Sequence, residues 1–168
     1  MSRGLQLCVA GLMAALALLP ATARAEDAKE VKPIATAKSD SRDARIGPID
    51  VKRAGVVIRS AEELVASSNK PKAAKDPDIQ KETEAELVKL LKVEKIDWSK
   101  QMVLAARGEP GTKADRVRFD SLTAEAKTLT VAWRVSPRPP HAGPGTPIAL
   151  ILIERFDGDV KFVPSEAK

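Results

Sequence analysis

The sequence predicts an α+β domain: an antiparallel meander sheet with two short N-terminal helices packed on it. Three observations predict it. Apolar residues recur at helical spacing between residues 61 and 91, the period changes to two from Ile96 onward, and Ile148–Ile153 is apolar without interruption. These patterns follow an export leader and a polar stretch, so the chain divides into residues 1–25, 26–45 and 46–168.

The leader is read from its three parts. Arg3 is a positive start, Leu5–Leu19 is an uncharged apolar run, and Ala21-Thr22-Ala23-Arg24-Ala25 is a small-residue exit after Pro20. The run falls short of the ~20 apolar residues of a membrane span. Cleavage is expected after Ala25, with Ala23 and Ala25 as the small pair; Ala21 and Ala23 are the alternative. The expected destination is the periplasm or the extracellular space, with no transmembrane segment left after cleavage. Loss of the leader removes Cys8, the only cysteine, so the mature chain forms no disulfide. It also removes Arg3 and Arg24, lowering the net charge from +5 to +3, with signs interspersed along the chain. That balance suits a solvated mixed-charge surface, and no nucleic-acid partner is expected. Residues 26–45 carry few large apolar side chains and read as a flexible tether.

The first element of the domain is a strand, Gly55–Arg59, rich in β-branched residues. Ser60 followed by Glu63 is a capping box for a short helix over Ala61–Ala66, with Leu64 and Val65 inward. Asp76-Pro77 opens a second helix, the aspartate as cap and the proline at the first helical position. Ile79, Thr83, Leu87, Leu90 and Leu91 form its apolar stripe. Gln101–Arg107 is a strand closed by Gly108–Thr112. Arg116–Leu122 sets Val117 and Phe119 against Arg116, Arg118 and Asp120; Thr128–Ser136 sets Leu129, Val131, Trp133 and Val135 against polar neighbours. Thr123–Lys127 is short enough to join these two as a hairpin. After a stiff Pro/Gly loop, Ile148–Ile153 reads as a central strand covered on both faces, the helices covering one. Asp157-Gly158 is a hairpin signal returning the chain as Val160–Val163.

Several of these pieces resemble, in order, the C-terminal domain of PrcB-type proteins, named for an accessory subunit of a bacterial surface protease complex. The matching residues are Ile58-Arg59-Ser60-Ala61-Glu62-Glu63-Leu64, then Ile96-Asp97-Trp98-Ser99-Lys100-Gln101-Met102-Val103-Leu104, then Gly108, Thr112 and Leu129-Thr130-Val131. The break before a final apolar strand is shared too. The family continues after that threonine with two glycines and an aromatic residue, where this chain has Lys113-Ala114-Asp115-Arg116. The resemblance spans Val57 to Val163 and implies an exported accessory or protein-binding domain. It brings no catalytic residue with it, and it leaves open whether the protein partner is a protease.

Chemistry-bearing residues are few. His141, the only histidine, lies in the 137–146 loop, where a hydrolase site is the weaker alternative. A base needs a nucleophile and an orienting group, and no G-x-S-x-G occurs, so no enzyme activity is expected. With one histidine and no mature cysteine, no zinc or other cofactor is expected either. Arg116, Arg118 and Arg134 lie on the polar sides of two neighbouring strands. With His141 they are the candidate partner contacts: a cationic face for an acidic protein, or for an envelope polymer as the alternative. The plainer reading pairs them with Asp120 and other acids on a solvated face.

Overall fold

The structure, a computed structural model, describes residues 28–41, 45–46, 49–51, 55–108, 114–137 and 146–165. Among the described residues, ten strands and two α-helices follow in order: β1 (Lys29–Glu30), β2 (Ala35–Ser41), β3 (Arg45–Ile46), β4 (Ile49–Asp50), β5 (Gly55–Ile58), α1 (Ala61–Ala66), α2 (Pro77–Leu91), β6 (Gln101–Arg107), β7 (Ala114–Glu125), β8 (Thr128–Pro137), β9 (Thr146–Glu154) and β10 (Asp159–Pro164). A single 3-10 turn, Pro71–Ala73, lies between the helices.

The strands form two four-stranded sheets and a small ribbon. The first sheet has the order β1-β7-β8-β10, the second β2-β9-β6-β5, and β3 pairs with β4. The sheets stack face to face on Met102, Leu104, Leu122, Leu129, Val131, Ile151 and Ile153. The far face of the second sheet offers Ile58, Val103, Leu150 and Leu152, which pack with Leu64 of α1 and Leu87 and Leu91 of α2. The layers are therefore sheet, sheet, helices, with the second sheet buried on both sides.

β9 explains this arrangement. Its even positions Ile148, Leu150 and Leu152 face the helices, and its odd positions Ala149, Ile151 and Ile153 face the first sheet; all are buried. A strand apolar on both faces belongs inside a covered sheet, and β2 and β6 flank it. With both edges of β9 occupied, the last strand has no place beside it. The expected hairpin at Asp157-Gly158 is thus corrected: β10 crosses to the first sheet and runs parallel to β8, Val160 opposite Leu129 and Phe162 opposite Val131. The fold is α+β, but its sheets are not a meander. The helices also follow five strands instead of leading the domain.

The tether boundary shifts as well. β2 pairs with β9 from Ala35↔Leu152 to Ser41↔Thr146, and β1 pairs with the end of β7. Residues 29–30 and 35–41 are therefore strands of the two sheets. Small residues suit β2, because Ala37 is buried in the helix-side core and Ala35 packs against it.

Local signals in the helices are realised with one variation. The Ser60 hydroxyl accepts the Glu63 amide at 3.1 Å, while the Glu63 carboxylate accepts the Arg59 amide, one residue before the usual capping-box position. Asp76 accepts the amides of Asp78 and Ile79 at 3.0 and 3.4 Å. Between α2 and β6, Trp98 donates its indole N–H to Glu84 at 2.9 Å, tying the strand entry to the helix.

The β7–β8 hairpin differs in length from its expected form. The register slips between Phe119 and Ser121, leaving Asp120 as the extra residue of a bulge. That slip restores the apolar phase: Val117↔Val135 and Phe119↔Trp133 before it, Leu122↔Val131 and Ala124↔Leu129 after it. β7 therefore runs on to Glu125, and the turn shrinks to Ala126-Lys127, with Ala126 at φ 48°. Gly158 packs on this turn, where a Cβ would collide with the Lys127 carbonyl, and Gly55 lies beneath the Phe162 ring.

Candidate functional site

The inward set of β7 and β8 is apolar, so alternation sends the intervening residues to the outer face of the first sheet. Register brings Arg118 and Arg134 together there. Arg118 stands directly opposite Arg134, and Arg116 stands two positions away, opposite Ser136. Arg118 is exposed and Arg134 half-buried. Like charges directly opposed across a strand pair are unfavourable. The bulge residue relieves one of them: Asp120 approaches the Arg134 Nε at 2.9 Å. Part of the plain reading, an arginine paired with Asp120, therefore holds for Arg134. On the other side of β8, Lys161 is opposite Thr130 and extends the same face. His141 and the loop considered for a hydrolase lie outside the described residues, apart from the loop's ends in β8 and β9.

Beside this face is a feature the sequence reading missed. A cleft of about 300 Å³ opens where β7, β2 and β9 meet, lined by Val31, Phe119, Ile151, Thr36, Lys38 and Arg118 among others. Thr36 and Lys38 were read as tether, so their place beside Arg118 carried no signal. The strand that positions them is recruited by pairing with β9, a hundred residues away in the chain.

A second basic group sits at the corner of the sandwich, and its bonds are architectural. Arg59 donates to the carbonyls of Phe156 and Gly158 at 3.4 and 3.0 Å. Arg155 donates to the Trp98 and Arg59 carbonyls at 2.7 and 3.3 Å and pairs with Asp157 at 2.7 Å. Arg59 satisfies carbonyls of the turn that carries the chain between sheets, and Arg155, within that connection, satisfies carbonyls at the end of β5 and before β6. Asp157 is thereby engaged as a charge partner of Arg155.

Among the described residues, no group of three or more His, Cys, Asp or Glu side chains is placed to hold a metal ion. No helix of the described residues is long and apolar enough to cross a membrane. Comparisons with protein-family models, with curated proteins and with solved structures find no match.

Proposed function

We propose that the chain is an exported, non-enzymatic accessory domain that binds another protein through the outer face and edge of its first sheet. The observation that carries this reading is the opposition of Arg118 and Arg134 across β7 and β8. Arg118 is exposed, and its juxtaposition with Arg134 costs folding free energy that the Asp120 pair relieves in part. An acidic surface on a partner offsets that cost and fixes orientation. The leader pattern in residues 1–25 supports export to the periplasm or beyond, and the PrcB-like motifs support an accessory role, a protease complex being one setting.

The same arginines favour a second reading, a binder of anionic envelope polymer. Two measurements separate the readings. An accessory subunit co-purifies in fixed ratio with one protein from the native envelope. Replacing Arg116, Arg118 and Arg134 together by Ser abolishes that complex while leaving the thermal midpoint within a few degrees. A polymer binder shows no fixed-ratio protein, and its retention on the envelope falls steeply as salt shortens the screening length. Envelope association that survives the triple substitution unchanged would remove both.

A further inference from the structure

β7 is long, and its neighbour on the side away from β8 is brief. β1 covers Thr123 and Ala124, and the Val31 amide donates to the Leu122 carbonyl at 2.8 Å. There the chain leaves the edge and crosses to the second sheet, where the Ile34 amide donates to the Leu152 carbonyl at 2.7 Å. Among the described residues, no strand pairs with Arg116–Ser121 on that side. The cleft of about 300 Å³ opens along this stretch. Ile151 is buried and Val31 and Phe119 half-buried, giving it an apolar floor; Thr36, Lys38 and Arg118 are exposed at its rim.

We propose that this edge accepts an extended acidic segment of a partner protein as an added strand. Unused main-chain groups on an edge give affinity to any extended peptide, and a pocket for alternate side chains selects among them. Charge selects the occupant. Among the described residues lining the cleft, Lys38 and Arg118 share the rim with one other acid, Glu30, because Asp120 is committed to Arg134. A second copy of this chain is a poor occupant, since β7 against β7 brings the basic stretch 116–118 against its own copy. The Asp120 bulge and these charges also discourage unselective edge pairing. An apolar residue of the guest strand enters the cleft while its acidic neighbours meet Lys38 and Arg118.

This inference rests on the protein-binding reading, and its test is separable from it. The probes are two synthetic peptides of roughly eight residues, an ordinary strand length, one alternating Val with Glu and the other Val with Lys. The Glu peptide is expected to slow amide exchange and shift resonances at residues 117–121. The Lys peptide binds about tenfold more weakly, and Arg118→Glu reverses the preference. Unchanged exchange along 117–121 with the Glu peptide, or equal binding of both peptides, overturns the proposal. A native partner that still co-purifies with the Arg118→Glu protein overturns strand addition alone. Absence of any partner for the wild type overturns the accessory role, while the peptide result still decides the edge.

Discussion

Asp97 stands at the entry to β6, where its carboxylate accepts the Ser99 hydroxyl at 2.5 Å and the Ser99 amide at 3.1 Å. The Lys100 ammonium lies 3.7 Å away. The hydroxyl bond first, then the amide bond and the two nearby lysines, hold the carboxyl below its ordinary value against a small opposing effect of burial. A folded-state pKa below the unfolded one contributes stability above the unfolded value, near 3.9. That contribution is lost as pH falls through the folded pKa. Asp97→Asn is therefore expected to lower the denaturant midpoint by a constant amount from about pH 7 down to about pH 4, with the two proteins converging below that. A gap that widens on acidification would show the bonds to be unimportant for the ionised form. At this scale much was legible. Ser60, Asp76 and Pro77 occupy the places their types suggest because each is set by bonds within a few residues, and the inward residues of β8 follow from period-two alternation.

Element by element, legibility depended on whether the governing partner was near in sequence. β6, α1 and the start of β8 match their expected bounds, since hydrophobic period and caps define them locally. The sequence reading ends β7 at Leu122 and leaves Thr123–Lys127 as the link, whereas the bulge at Asp120 resets the apolar phase and carries the strand on to Glu125. β9 was read as central from its double-sided apolar character, and its neighbours follow from that reading only in part. A strand covered on both faces leads to a specific expectation. Leu150→Ala removes packing against α1 and α2, and Ile151→Ala removes packing against the first sheet. Both are fully buried, so each is expected to cost about 2–5 kcal/mol in chemical denaturation. Because the two cavities lie on opposite sides of one sheet, the double variant tests whether the layers respond independently. A cost under about 1 kcal/mol at either position would mean that its face is not closed.

For the molecule as a whole, the consequential difference concerns where the folded unit begins. Residues 26–45 carry few large apolar side chains, and by composition alone such a segment stays unordered. β2 is ordered by another route: its backbone completes the open side of β9, and Ala35 and Ala37 fit under the helices because they are small. Composition cannot register this, since the stabilising groups are main-chain amides and carbonyls common to every sequence. If β2 were removed, β9 would become an edge strand whose unpaired groups sit beside Leu150 and Leu152, an arrangement prone to edge association. The expectation is concrete. A chain starting at Ala28 should unfold in one cooperative step, matching a chain that starts at Glu26. A chain starting at Ile46 should unfold at a much lower denaturant concentration, bind hydrophobic dyes and self-associate. Each pairing bond contributes about 0.5–1.5 kcal/mol net, and small domains have only about 5–15 kcal/mol in total, so loss of the whole β2 ladder takes a large share of it. It would also take away Lys38 and one wall of the cleft beside β7, so the shorter chain should lose preference for the acidic peptide even where some folded protein survives. Equal denaturation midpoints for the two chains would return residues 28–41 to the role of a tether and dissolve the cleft with them.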